Sequence, residues 1–204
     1  MSNRWSHCAT NESDARKIIQ HLYMRAARTN STRGDRQTMS DSDIHESPTK
    51  RGTVASLVID ASPHRVFRAF SDRSRLARWW GPDGFTNTIT EFNLRPGGEW
   101  SFVMHGPDGT NFPMKHVFIE VNEPDRIVIK HLDQHLPDIE YDHDFEMTIT
   151  FSPQGSATLV GWSQIFDSEA EWQRVAEFVI PATAQNLDRL ASEVLNTERH
   201  EPSE

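Results

Sequence analysis

The segment Leu76-Ala77-Arg78-Trp79-Trp80-Gly81-Pro82 decides the fold. Two adjacent tryptophans end a short helical pattern, and Gly81-Pro82 stops it. Each indole buries roughly 150–250 Å² when it packs, so neither is easily left in water. A block of alternating strands follows, so the pair marks the junction of helix and sheet. Upstream, Asp72 is an N-cap for the helix that carries Leu76, Trp79 and Trp80. Before that, Ser62-Pro63 supplies another N-cap with proline at the first helical position. Val66, Phe67, Ala69 and Phe70 form the apolar side of this first helix. Val54 to Asp60 is β-branched and reads as a strand.

Downstream, Thr86 to Leu94 reads as a strand that ends at the turn Pro96-Gly97-Gly98. In Glu99 to His105, Trp100, Phe102 and Met104 face one way and Glu99, Ser101 and His105 the other. Gly106-Pro107-Asp108-Gly109 is a hairpin turn, because proline fixes φ and glycine accepts positive φ. Phe112 to Val121 pairs back, Glu123-Pro124-Asp125 turns, and Arg126 to Leu132 is the next strand. Phe145, Met147, Ile149 and Phe151 alternate with polar residues, and Gln154-Gly155-Ser156 leads into a last strand, Ala157 to Phe166. Ser168 and Glu171 make a capping box that opens the longest helix, Glu169 to Leu195. Trp172, Val175, Val179, Leu187, Leu190 and Val194 recur on one side of it, and Pro181 predicts a kink near residues 177–181. Strands in a run, closed by one helix, predict an α+β fold. The expected form is a curved antiparallel sheet wrapped around a long C-terminal helix, with two short helices after the first strand. Such a sheet tends to hold a cavity beneath the helix.

The 204 residues are 36% hydrophobic, which suits one globular domain with some tail. No apolar run approaches the roughly 18 residues that span a bilayer, and the N-terminus has no apolar signal core. Cys8 is the sole cysteine, which fits a reducing cytoplasm. Net charge is −9, with a basic excess in residues 1–38 and an acidic remainder. That acidic body argues against general nucleic-acid binding. Residues 1–52 are polar and read as a poorly structured N-terminal extension, a basic arm or a leader, with Met39 an alternative start and a short helix at Asp14 to Arg28. The folded domain is expected at 53–197 and a tail at 198–204.

Three further stretches join the opening segment: Val66-Phe67-Arg68-Ala69-Phe70, Phe92-Asn93-Leu94-Arg95-Pro96-Gly97-Gly98-Glu99-Trp100 and Met104-His105-Gly106-Pro107-Asp108-Gly109-Thr110. With Leu187-Asp188-Arg189-Leu190, they make residues 54–195 resemble the START-like, or SRPBCC, superfamily. Within it the chain is similar to bacterial homologues of the activator of heat shock protein 90 ATPase. The resemblance implies the helix-grip fold and a hydrophobic ligand cavity. Its members also include cyclases and a co-chaperone domain, and fold alone does not choose between these. Two features depart from the family pattern: Ile180-Pro181 where glycine is usual, and a long stretch from His131 to Asp144.

The expected ligand-binding residues are Trp80, Phe85, Trp100, Phe102, Met104, Phe145, Met147, Trp162 and Phe178. The same side chains also suit a core that touches no ligand. His116 and Glu120 alternate onto one strand face with Phe112, Met114 and Phe118, and are the candidate acid–base pair of an enzyme reading. Val117, Ile119 and Val121 offer the opposite face as an alternative interior. His131, Asp133, His135, Asp138, Glu140, Asp142, His143 and Asp144 crowd together, but match no compact ligand spacing and read as a solvated loop. Nucleophile, phosphate-loop and zinc-protease motifs are absent. The expectation is therefore a cytoplasmic binding protein for a small hydrophobic or aromatic molecule, without catalysis, metal or cofactor. A cyclase- or hydrolase-like enzyme and a chaperone-docking module are the alternatives. A homodimer is a further partner to consider; membrane is not.

Overall fold

A computed structural model describes residues 43–47, 49–132 and 144–198. The strands are β1 (Asp43–Glu46), β2 (Gly52–Ile59), β3 (Thr86–Phe92), β4 (Glu99–His105), β5 (Asn111–Asn122), β6 (Arg126–His131), β7 (Phe145–Gln154) and β8 (Ala157–Phe166). The helices are α1 (Pro63–Ser71), α2 (Arg73–Trp79) and α3 (Glu169–Glu198). All eight strands join one antiparallel sheet in the order β1-β2-β8-β7-β6-β5-β4-β3. This is the α+β helix-grip arrangement that the order of sequence signals predicts.

One boundary moves. Residues 43–46 fall in the segment read from sequence as an extension, yet they pair with β2, Ile44 opposite Ala55 and Glu46 opposite Thr53. Four residues are too short to stand out by alternation, and two of them are charged. The expected helix at Asp14 to Arg28 and most of the acidic stretch, residues 133–143, lie outside the described residues.

Ser62 stands at the N-cap of α1 without a side-chain capping bond, whereas α2 and α3 are capped by side chains. The Asp72 carboxylate accepts the backbone N–H groups of Ser74 and Arg75 at 2.8 and 3.1 Å. At α3 the Ser168 backbone N–H donates to Glu171 Oε2 at 2.8 Å, and the Glu171 N–H returns a bond to Ser168 Oγ at 3.2 Å. This is the reciprocal capping box. With 30 residues, α3 is about 45 Å long at ~1.5 Å per residue. It runs unbroken through Pro181, which lies on its exposed side. Its buried stripe is Trp172, Val175, Val179, Thr183, Leu187, Leu190 and Val194. The one polar member, Thr183, donates its hydroxyl to the Val179 carbonyl one turn back at 2.8 Å.

The close backbone contacts of α3 fall on β1, β2 and β8, those of α1 on β7 and β8, and those of α2 on β3. The middle strands β4, β5 and β6 have no comparable helix contact. Their inner face meets the helical layer only through large side chains.

Candidate functional site

Cross-strand register assembles the site. Phe92, Trp100, His116, His131, Phe145 and Phe166 are successive partners across β3, β4, β5, β6, β7 and β8. Directly opposed residues of an antiparallel sheet project from the same face. Their rings form a continuous row, with centroid separations of 6.3, 5.0, 5.0, 4.8 and 5.3 Å in that order. Phe166 hands the row on to Trp172 of α3 at 5.7 Å.

Two β-bulges make this row. In β5 the register shifts between Phe118 and Glu120, so that one extra residue, Ile119, interrupts the alternation. Below the bulge Phe118 opposes Ile129 and His116 opposes His131; above it Glu120 opposes Val128. The shift turns Glu120 to the other face, where it lies 3.4 Å from Arg126 and is half exposed. The expected His116–Glu120 pair is therefore not formed, because a single bulge inverts every later inside–outside assignment on its strand. The alternative interior of Val117, Ile119 and Val121 fails for the same reason: Ile119 is 51% exposed, while Val121 packs on the core. In β3 the shift between Ile89 and Glu91 lets both Ile89 and Phe92 face inward.

The bulge of β5 is also where the Pro96-Gly97-Gly98 turn docks. The Gly97 N–H donates to the Phe118 carbonyl at 2.8 Å and the Phe118 N–H to Gly98 O at 2.9 Å. A Cβ on Gly98 would lie 1.9 Å from the Asn93 carbonyl oxygen, so only glycine fits there.

The two tryptophans of the opening segment part company. Trp79, inside α2, donates its indole N–H to the Ala69 carbonyl at 2.9 Å and packs on Phe70 at 4.7 Å. Trp80 caps α2 with extended backbone and turns to the sheet. Its ring meets Trp100 edge-on at 4.7 Å, stacks on Trp162 at 5.4 Å and approaches His116 at 6.4 Å.

The turn after Trp80 is held by α3. The Gly81 N–H donates to Asn186 Oδ1 at 2.7 Å and the Asp83 N–H to Gln185 Oε1 at 3.0 Å. The Arg189 guanidinium reaches four backbone carbonyls: Gly81 and Pro82 at 2.8 and 2.6 Å, Arg78 at 2.8 Å, and Phe85 at 3.3 Å from both terminal nitrogens. Glu193 adds ion pairs to Arg75 and Arg78 at 3.2 and 2.6 Å. Gly81 adopts φ +95°, and a Cβ there would meet Met104 Sδ at 3.1 Å.

Of the ligand-binding residues expected from sequence, Trp80, Trp100 and Phe102 are buried around His116, and the buried Trp162 stacks on Trp80. Phe102 lies parallel to the His116 imidazole at 5.4 Å. Phe145 lies in the row. Met147 is one register step away, between Ile129 and Gln164. Phe85 packs on Phe112 at 6.1 Å near the Trp80 turn. Phe178 is half-buried and flanks the α3 stripe, in which Val179 faces the core. Sequence reading missed two things. His131 was grouped with the acidic stretch, yet it partners His116. The role of Gln185, Asn186 and Arg189 was also unread, although the spacing from Gln185 to Arg189 is one helical turn and could have signalled a shared face.

Burial holds the His116 imidazole well below the usual histidine pKa, and the neighbouring His131 pushes it the same way. It is neutral at physiological pH. Among the described residues no group of three His, Cys, Asp or Glu side chains is arranged to hold a metal ion. No described helix is long and apolar enough to cross a membrane.

Comparison with known proteins follows the geometry. The family model described as "Activator of Hsp90 ATPase homolog 1-like protein" matches residues 60–194. No curated protein matches the chain. A solution structure from Arthrobacter aurescens superposes with a TM-score of 0.69 at 22% identity, covering 76% of this chain and 91% of the other. A crystal structure from Chromobacterium violaceum gives 0.62 at 24% identity, covering 71% and 96%. The AHSA1-like protein from Aeromonas hydrophila gives 0.54 at 20% identity, covering 81% and 99%. At these identities the solved structures speak for the fold.

Proposed function

The chain belongs to the activator of Hsp90 ATPase homolog 1-like family, and from that premise we propose that it binds a small, largely aromatic or apolar molecule between the inner face of β4–β6 and α3. One observation carries this reading. The middle of the sheet presents Trp100, Phe102 and His116 where no helix backbone packs closely, and Trp80 reaches them from the end of α2. A curved sheet spanned only by side chains is where such folds hold ligands. The site residues are those around Trp80; Met147 and Phe178 stand at its margin. A reducing, cytoplasmic compartment in a bacterium belongs to the same reading, supported by the single cysteine and the bacterial sources of the similar structures.

Titration of the folded protein with the neutral dye N-phenyl-1-naphthylamine tests the proposal. Saturable dye emission near one equivalent is expected, and Trp80→Ala should weaken it about tenfold or more. Absence of a saturable signal in a folded sample would overturn it. Native mass spectrometry of freshly purified protein reads a co-purified ligand and a second copy of the chain in one spectrum.

The family description also names a chaperone activator. The surface gives that reading less support. Among the described residues the large apolar side chains left exposed are Val58, Ile119 and Leu195, scattered over β2, β5 and α3. Retention of a chaperone in a pull-down at physiological salt would favour docking over ligand binding.

A further inference from the structure

The outer face of β3, β4 and β5 turns away from the buried Trp100, Phe102 and Met104. It carries a chain of hydrogen bonds between three side chains. The Thr88 hydroxyl lies 2.9 Å from His105 Nε2, and His105 Nδ1 lies 2.6 Å from Asn111 Oδ1. Thr88 and Asn111 are exposed and His105 is half-buried. No sequence motif marks the three, because strand register brings them together. Asn111 directly opposes His105, and Thr88 stands two residues along β3 from Thr86, the residue opposite His105. The Gly106 N–H, donating to the Thr110 carbonyl at 2.8 Å, closes the hairpin just beyond.

The bonds have a fixed direction. A carboxamide oxygen only accepts, so His105 Nδ1 donates to Asn111 and carries the ring proton. In the neutral imidazole Nε2 is then an acceptor, and the Thr88 hydroxyl donates to it. A hydroxyl aimed at the lone pair of an imidazole, itself oriented by a third side chain, is the arrangement that activates an alcohol as a nucleophile. Water satisfies exposed polar groups without such a chain, and bonds between side chains are the minority class in proteins. The neighbours of His105 on this face are uncharged: Thr86 and Thr88 on β3, Val103 on β4, Asn111 and Pro113 on β5. The carboxylate of the hairpin turn, Asp108, is taken by the N–H and hydroxyl of Thr110 at 3.0 and 2.8 Å.

We propose that Thr88, His105 and Asn111 form an acyl-transfer site for small esters and thioesters. Thr88 Oγ1 attacks the acyl carbon while its proton passes to His105 Nε2. The bond from that carbon to the leaving oxygen or sulfur breaks, and the leaving group takes the proton from Nε2. An acyl ester remains on Thr88. Water attacks this ester, gives a proton to the same nitrogen and releases the acid, and Thr88 recovers its hydroxyl with the proton from Nε2. Thr86, directly across from His105, offers a second hydroxyl to the developing oxyanion. Asn111 touches no reacting atom and is a positioning residue. The site is open to solvent, which suits a compact acyl group on a good leaving group. It lies on the opposite face from the Trp80 cluster, so it is independent of the binding reading above.

The test treats the full chain with p-nitrophenyl acetate and locates acetyl groups by tandem mass spectrometry, because lysines and other histidines also cleave this ester. A threonine ester hydrolyses far more slowly than the aryl ester, so the acyl form accumulates. Acetyl is expected at Thr88 about tenfold faster than at Thr86 or Thr90 of the same strand, a part of what a positioned base contributes in an enclosed site. Thr88→Ser should keep the reaction, and His105→Gln should bring residue 88 down to the level of Thr86. The rate should rise with pH as an imidazole loses its proton. Asn111→Ala should slow the reaction; Asn111→Asp should restore it with the rise displaced to higher pH, since a carboxylate beside Nδ1 favours the protonated ring. Acetyl absent from Thr88, or spread equally over the three threonines, would overturn the proposal. So would a His105→Gln chain that reacts at the wild-type rate, or an Asn111→Asp pH profile that coincides with the wild type.

Discussion

At the scale of single residues, Trp79 and Trp80 show how backbone conformation separates identical side chains. Trp79 is still helical and locks α1 to α2. Trp80 has left the helix, and its extended backbone aims the ring at the sheet. His116 shows how position sets charge. Its folded-state pKa is depressed by burial and by His131, whereas in the unfolded chain it titrates near the ordinary value of 6.5. Below that value the unfolded state takes up a proton that the folded state refuses. The stability contribution is therefore complete above about pH 6.5 and is lost as pH falls toward the folded value. Denaturant unfolding between pH 7.5 and 5 should show the wild type losing stability faster than His116→Phe. The difference in slope should approach about 1.4 kcal/mol per pH unit at the acid end. Parallel profiles would show that His116 takes up its proton without unfolding.

At the scale of elements, α3 contributes more than a hydrophobic lid. One turn of it, Gln185 to Arg189, binds the backbone of the turn that positions Trp80. The fork of Arg189 serves four carbonyls at once, which a lysine ammonium cannot reproduce. Arg189→Lys should destabilise the fold by about 2–3 kcal/mol, read as a lower urea midpoint, because several carbonyls lose charge-assisted bonds. It should also weaken dye binding, since Trp80 loses its support. An unchanged midpoint would show that the turn holds itself. The helices and the strands from β2 onward were legible because they carry local signals: N-cap residues at Ser62, Asp72 and Ser168, turns at Pro96 and Pro107, and alternation in β4 and β7. The buried set of β4 and β7, Trp100 to Met147, followed from the same alternation. The bulge at Ile119 carried no such signal. A bulge is fixed by the neighbouring ladder, here by the docking of Gly97 and Gly98 on Phe118. Glu120 was misplaced for that one reason, whereas His131 was overlooked because its chain neighbours group it with the acidic stretch. The Arg189 clamp was illegible for another: its partners are backbone carbonyls more than 100 positions away, which no local pattern encodes.

At the scale of the whole molecule, the sheet closes on its helix through its first strand. β1 is short, yet it pairs with β2 and lies against α3. Its Glu46 carboxylate accepts the indole N–H of Trp172, a ring only 1% exposed at the start of the helix. Trp172 also ends the aromatic row through Phe166. One edge of the sheet, the first turn of α3 and the site row are thus tied together by a strand that composition places with the polar leader. Removing β1 leaves a buried donor unpaired, which costs roughly 1–3 kcal/mol, and strips cover from Ile44's neighbours on the core. A chain beginning at residue 49 should therefore melt about 5 °C below one beginning at Met39, since each kcal/mol shifts a domain of this size by about 2–4 °C. The Trp172 indole resonance should move upfield as its acceptor is lost. Glu46→Gln in the full chain separates the two contributions: it keeps the strand and an acceptor oxygen, so its melting point should stay near that of the Met39 chain. If the two truncations melt together, β1 adds nothing to the fold, and the domain boundary belongs at residue 53, where composition alone sets it.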